Sequence, residues 1–74
     1  MNYTAYIESN HEIMLGKPVI KGSRITVELI LKKLAEGASA NDIILMYPNI
    51  TELHVRACLE YASVVISHEL VLPL

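Results

Sequence analysis

Three cations stand close together in a stretch rich in glycine and proline, and their chemistry suits them to binding. Lys17, Lys21 and Arg24 lie within residues 16–27, GKPVIKGSRITV. Ammonium and guanidinium groups bind phosphate and carboxylate oxygens. Glycine and proline set unusual or fixed backbone torsions, so they can shape a loop that carries such groups. The segment therefore predicts a turn that presents positive charge to an anionic partner.

A second group of polar residues falls at the beginning of the longest predicted helix. Thr51, His54 and Arg56 are expected to be exposed there. Arg56 is the strong candidate for reading guanine or binding phosphate, whereas Glu52 and Glu60 would repel a DNA backbone. The DNA hypothesis places this helix in the major groove and the three loop cations on phosphate or in the minor groove.

The alternative for the loop is structural. Arg24 could pair with a carboxylate such as Glu28 or Glu60 and pin the loop to the helices, and the residues favour neither interpretation. The glycines lack the spacing of nucleotide-binding loops, so Gly16 and Gly22 are explained by turn geometry.

Residues for catalysis are sparse. The three histidines His11, His54 and His68 are not spaced with carboxylates or cysteine as metal ligands usually are, and no nucleophile sits in a known activating motif. His54 is expected to be solvated near the start of its helix. We therefore expect no enzymatic activity, no metal and no cofactor.

Composition predicts a small domain with a partner. The chain has 74 residues, of which 53% are apolar, and its net charge is −2. A domain of this size buries only roughly 60% of its unfolded surface, so part of the apolar material is expected on the outside. Homodimerisation or stable binding of another protein would cover it. The negative charge gives no general basic footprint for nucleic acid, so DNA binding needs a local patch.

The single cysteine and the amino terminus bear on compartment. Cys58 lies inside a predicted helix and is expected to be a packed core thiol rather than a reactive one. No basic flank followed by an apolar run opens the sequence, and no stretch reaches the ~18 apolar residues of a membrane span. A cytoplasmic protein without membrane insertion is expected.

The first quarter of the chain predicts a β arm. Residues 3–9 carry Tyr, Thr and Ile in rough alternation and could pair with residues 18–20. The connection is too long for a tight hairpin, and a helical turn is predicted at residues 12–15. A two-stranded ribbon is marginally stable alone, so the arm must lie on the helices or on another subunit, which makes it a candidate dimerisation arm.

Three helices follow the arm. Thr26 is a predicted N-cap for a helix with the apolar stripe Val27, Ile30, Leu31 and Leu34, which ends at Gly37, and Glu28 is placed to pair with Lys32. Ser39 and Asp42 resemble a capping box for a second helix that ends before Pro48. Thr51 caps the third helix, 52–67, whose apolar positions are Val55, Cys58, Leu59, Ala62, Val65 and Ile66.

These elements predict a mainly α fold, a compact domain of helix-turn-helix type. Residues 1–74 form one domain, with a β arm and glycine-rich turn over 1–25, a three-helix bundle over 26–67 and an apolar tail over 68–74. The tail is expected to pack on the arm, a sister subunit or a partner.

The runs GKPVIKGSRITVELILKKLAEGAS, DIILMYPNIT and VRACLEYA together resemble the family named domain of unknown function 433. The family pattern has a paired glycine before Lys-Pro, a Gly-Thr-Arg-Ile turn, a helix closing on Gly-Ala-Ser, a Tyr-Pro, and an Ala-Leu-x-Tyr-Ala near the end. The resemblance covers about residues 6–62. Three positions depart from it: Leu15 replaces the first glycine, Ser23 replaces threonine, and His54 stands where an acidic residue is usual. The first two are expected to be mild.

The resemblance implies a homeodomain-like three-helix fold with a short amino-terminal β arm or hairpin. It also implies an antitoxin-like component of a type II toxin–antitoxin system, which binds a PIN-like ribonuclease toxin, with its own operator DNA as a further candidate partner. The alternative is a non-enzymatic, dimeric structural or adaptor protein without DNA binding. Candidate contacts with DNA or a protein partner are Lys17, Lys21, Arg24, Thr51, His54 and Arg56.

Overall fold

The computed structural model describes residues 2–68, which form a two-stranded antiparallel hairpin followed by three helices. The elements in chain order are β1 Ile7–Glu8, β2 Val19–Ile20, α1 Val27–Ala35, α2 Ala40–Met46 and α3 Glu52–Ser67. The mainly α fold with an amino-terminal hairpin is therefore confirmed. The division into arm, bundle and tail stays a prediction, and residues 69–74 of the predicted tail lie outside the described residues.

Each helix begins where side-chain capping predicts. The Thr26 hydroxyl accepts a hydrogen bond from the Leu29 N–H at 3.0 Å. At α2, the Ser39 hydroxyl accepts from the Asp42 N–H at 3.1 Å, and the Asp42 carboxylate accepts from the Ser39 N–H at 2.8 Å. These bonds satisfy backbone donors that have no partner within the helix. The first two helix starts are thus determined locally by sequence.

The hairpin forms with the predicted pairing but is shorter than predicted. Ile7 pairs with Ile20 and Glu8 with Val19. Residues 3–5, predicted as strand, instead form a short 3-10 turn that begins at Asn2, whose side chain accepts from the Thr4 N–H at 3.1 Å. An asparagine that bonds the backbone two residues on favours a turn over an extended strand, and this explains the difference.

One core joins the arm to the helices. Its buried residues come from both hairpin strands, all three helices and the link before α3, and they are Ile7, Val19, Ile20, Val27, Ile30, Ile43, Ile50, Val55, Ala57 and Cys58. In α3 the buried side is narrower than predicted, because Leu59, Val65 and Ile66 are exposed while Ala57 is buried. The carboxy-terminal half of α3 therefore extends beyond the core.

The arm lies on α3, which is the first of its two predicted positions, on the helices or on another subunit. The Tyr3 and Tyr61 rings meet edge to face with centroids 5.5 Å apart. On its other side, β2 is tied to the start of α1, because the Ile20 N–H donates to Ile25 O and the Val27 N–H donates to Pro18 O. Among the described residues, no helix is both long and apolar enough to cross a membrane.

Candidate partner-binding surface

A tight turn presents two of the three predicted loop cations. The Ser23 N–H donates to Ile20 O at 3.0 Å, and Gly22, at the third position of the turn, has φ +78°. That position of a type II turn requires positive φ, which glycine adopts without steric cost. The Ser23 hydroxyl donates to Ile20 O and accepts from the Ile25 N–H, so the turn is fixed from both sides. A threonine hydroxyl could make both bonds, which agrees with the expectation that Ser23 is a mild departure.

Lys21 and Arg24 are exposed on this turn, and neither makes an ion pair with another residue in 2–68. Arg24 lines a shallow, open pocket of about 240 Å³ together with Glu8, Ile13, Gly22 and Ser23. Cations without an internal carboxylate partner keep their charge available to an external anion. The charges of these two residues therefore remain available to an external partner.

Lys17, the third loop cation, already has a partner within the chain. Its Nζ lies 2.9 Å from Oε1 of Glu28, although both side chains are more than half exposed. The Lys17 ammonium holds the pKa of Glu28 below its usual range, first by its hydrogen bond and then by its charge. Glu28 therefore pairs with Lys17 and not with Arg24, as the structural alternative proposed, nor with Lys32, as its helical spacing predicted.

Thr51 and His54 are brought together as a cap at the start of α3. The Thr51 N–H donates to Nδ1 of His54 at 2.9 Å. This is the position that Glu or Gln takes in a capping box, and it requires the imidazole Nδ1 to carry no proton. The ring is half-buried and meets the Tyr6 ring edge to face, with centroids 5.5 Å apart. The expectation of a solvated His54 was thus wrong, because the cap and Tyr6 hold the ring against the arm.

Tyr6 links the two groups of candidate residues. Its carbonyl accepts a hydrogen bond from the Lys21 N–H at 2.9 Å, while its ring contacts His54. The cation turn and the beginning of α3 therefore lie on opposite sides of one tyrosine. Sequence reasoning did not single out Tyr6; its place in the alternating pattern of the arm was the available signal, but that pattern does not say what the ring contacts.

Arg56 is exposed on α3 and, unlike Lys21 and Arg24, forms an ion pair within the chain. Its Nε lies 3.8 Å from Oε1 of Glu52, one helical turn earlier, and both side chains are about two-thirds exposed. An exposed pair at this spacing contributes only a few tenths of a kcal/mol, so it can exchange for an external partner. The adjacent carboxylate still lowers the positive potential of this face.

The connection between the strands contains a strained turn. Residues 14–16 form one 3-10 turn in which Met14, Leu15 and Gly16 all have positive φ, at +49°, +58° and +84°. The left-handed conformation costs a non-glycine residue roughly 1–2 kcal/mol. Leu15 is 92% exposed, so packing within the chain does not offset that cost. The replacement of the first family glycine by Leu15 is therefore not mild.

Two further predictions concern reactive groups. Cys58 is fully buried, and burial raises the pKa of its thiol to about 11, so the thiol stays protonated at neutral pH. This agrees with a packed core thiol. Among residues 2–68, no three histidine, cysteine or acidic side chains are grouped so that they could hold a metal ion.

Comparison with known protein families gives a match. The model of a family described as a protein of unknown function, DUF433, matches residues 7–62. No curated protein and no solved structure matches the chain significantly.

Proposed function

The chain belongs to the DUF433 family of proteins of unknown function, and from this membership we propose that it is a non-enzymatic, dimeric antitoxin-like protein that neutralises a PIN-like ribonuclease. We propose its own operator DNA as a second binding partner, besides the ribonuclease. The observation that carries it is the pair of exposed cations, Lys21 and Arg24, on a rigid turn without carboxylate partners in residues 2–68.

The electrostatics of the proposed complex are complementary. A nuclease that binds metal ions has an acidic cleft, and a guanidinium presented from a fixed turn suits such a cleft. The turn around Gly22 and Ser23 is closed by three hydrogen bonds, so Arg24 leaves the fold at a defined point. Little backbone freedom is lost when such a turn docks, which favours binding.

The test is co-expression with the product of the neighbouring open reading frame, which the proposal expects to be a small PIN-like nuclease. The pair should form a stable complex and restore growth. Arg24→Ala should abolish rescue, with a loss of about 2–5 kcal/mol of binding free energy, while thermal stability changes by less than about 0.5 kcal/mol. Lys32→Ala, an exposed cation on α1, is the matched control and should rescue normally. If the wild-type protein neither binds nor rescues, the antitoxin proposal is wrong.

Loss of folding in Arg24→Ala would instead identify Arg24 as a structural latch. Calorimetry on the purified variant separates this outcome from loss of binding. Lys21→Ala provides a second check on the role of the loop cations in binding. The variant should fold normally, because the hydrogen bond from the Lys21 N–H to Tyr6 O does not depend on the side chain.

Operator binding is tested separately. DNA from the region upstream of the gene should shift at low ionic strength, with an affinity that falls steeply as salt rises. Arg56→Ala should weaken this binding and leave toxin rescue intact. Absence of any shift at low salt would remove the operator part of the proposal.

The second candidate function is a dimeric structural or adaptor protein without DNA binding. The pairing of two of the candidate cations favours it, because Glu28 and Glu52 neutralise Lys17 and Arg56. A dimer that binds neither DNA nor the neighbouring nuclease is its expected outcome in both assays.

A further inference from the structure

Two opposite charges line one open pocket on the arm without pairing with each other. Glu8, which is half-buried, and Arg24, which is exposed, both line the pocket of about 240 Å³. Within residues 2–68 neither side chain forms an ion pair or a side-chain hydrogen bond. An unpaired charge attracts an external group of the opposite sign. The pocket therefore offers one position for an anion, at Arg24, and one for a cation, at Glu8.

Both charged side chains begin from backbone that is fixed by pairing or by a turn. Glu8 lies in β1 opposite Val19 of β2. Arg24 follows the turn in which the Ser23 N–H and hydroxyl both donate to Ile20 O. The two positions are thus held on one frame, so a ligand that matches both loses little free energy to reorganisation of the arm.

The remaining walls leave the recognition of charge to Glu8 and Arg24. The Ser23 hydroxyl is already used within the turn, where it donates to Ile20 O and accepts from the Ile25 N–H. Ile13 is the apolar side chain among the lining residues and can contact the aliphatic part of a ligand. At Gly22 no atom lies within 4 Å of the position of an added Cβ, so a partner can approach this side closely.

The pair of charges selects between classes of ligand. A phosphate or a lone carboxylate would be attracted by Arg24 and repelled by Glu8. An apolar group would remove water from both charges without replacing it, which is unfavourable. A ligand that carries a carboxylate beside a basic group satisfies both charges at once.

We propose that this pocket receives a carboxylate and a neighbouring basic side chain from the surface of the ribonuclease, the carboxylate on Arg24 and the basic group on Glu8. The inference rests on the proposed function, in which Arg24 contacts the ribonuclease, and adds the chemistry of the surface that Arg24 meets. Glu8 then distinguishes a surface of mixed charge from a uniformly acidic one.

The experiment measures the affinity of the full-length chain for the purified product of the neighbouring open reading frame by calorimetric titration. Glu8→Gln removes the negative charge of the pocket and should raise the dissociation constant about tenfold. Glu8→Lys would also repel the basic group and should raise it about a hundredfold. A uniformly acidic partner surface predicts the opposite sign, because loss of the Glu8 charge would then strengthen binding.

Glu12→Gln is the matched control, because it removes the same charge from an exposed residue of the same arm that does not line the pocket. It should change the dissociation constant by less than about twofold. The free Glu8→Gln and Glu12→Gln variants should both melt within about 4 °C of the wild type, which separates loss of binding from loss of folding.

Unchanged or stronger binding by Glu8→Gln would overturn the inference, while the wild-type complex would leave the proposed function standing. An equal effect of Glu12→Gln would show that only the overall charge of the arm matters, and the pocket contact would be wrong. If EDTA abolishes the difference between the wild type and Glu8→Gln, the cation is a metal ion and not a side chain. A wild-type chain that does not bind the neighbouring product contradicts the proposed function, and this contact with it.

Discussion

The helices and the arm reach their conformations by different routes. At α1 and α2 a capping residue, apolar side chains and a terminating residue all indicate the same element, and at α3 the capping residue and the apolar spacing agree. In the arm, Leu15 and Met14 adopt torsions that their residue types disfavour, and the loop is maintained by hydrogen bonds to neighbouring backbone. Conflict between local preference and structure thus concentrates in the region that also carries Lys21 and Arg24.

This contrast supports the proposal that the arm takes part in binding. A region in which each residue suits its conformation needs no explanation beyond folding, whereas strain that persists at an exposed site is more often connected with binding. The arm is nevertheless part of the core, since Ile7 and Ile20 are buried with helical residues. The arm is therefore anchored in the same core as the helices, and its stability can be measured against theirs.

The strongest test compares one core residue from each region. Ile20→Ala in β2 and Ile30→Ala in α1 should each reduce the free energy of unfolding by about 2–5 kcal/mol, because both side chains are almost completely buried. Urea unfolding monitored by circular dichroism measures both, and Leu45→Ala serves as an exposed control. A change below about 1 kcal/mol for Ile20→Ala alone would show that the arm folds independently of the helices.

A smaller effect is expected at the cation turn. Gly22→Ala should destabilise the protein by about 1–2 kcal/mol, because alanine resists the φ of +78°, although no neighbouring atom lies within 4 Å of the added methyl group. The exposed helical replacement Ser63→Ala should change stability by less than about 0.5 kcal/mol. Thermal denaturation measures both variants. If Gly22→Ala leaves the stability unchanged, the turn can relax around the alanine. The cation turn would then not share the backbone strain of residues 14 and 15.

The third test concerns His54, which contacts the arm from the beginning of α3. His54→Ala should cost about 1 kcal/mol, since it removes both the acceptor for the Thr51 N–H and the contact with the Tyr6 ring. His54→Gln keeps an acceptor at the capping position and should recover about half of that loss. Equal losses for the two variants would assign the whole effect to the Tyr6 contact.

Sequence reasoning succeeded where structure is determined within a few residues. Thr26, Ser39 and Thr51 predicted the three helix starts, and the bounds of α3 are those predicted, because capping and periodicity are local properties. The strand pairing was also predicted. The family resemblance, which was based on the turn residues and their spacing in the sequence, is confirmed.

The candidate surface was less predictable because its contacts are not local. Lys17 and Glu28 lie eleven residues apart and meet only after the arm folds back on α1. The φ of Leu15 could not be predicted either, since nothing in a leucine indicates a left-handed turn. The contact between His54 and Tyr6 was not predicted either, because the two residues are distant in sequence and meet only in the folded chain. The binding roles of all six candidate residues remain predictions for the assays above.

The smallest expected effect is the pH dependence of the capping box at the start of α2. Hydrogen bonds from Ser39, first from its backbone and then from its side chain, lower the pKa of Asp42 below its usual value of 3.8. A carboxyl whose pKa is lower in the folded state stabilises the fold above its unfolded pKa, and this contribution disappears as pH falls through the folded pKa. The stability difference between wild type and Asp42→Asn should therefore be present at neutral pH and shrink progressively as the pH falls below 3.8, measured by urea unfolding. A difference that persists undiminished at about pH 2 would mean that the carboxylate charge does not stabilise α2, leaving only the hydroxyl of Ser39 to cap it.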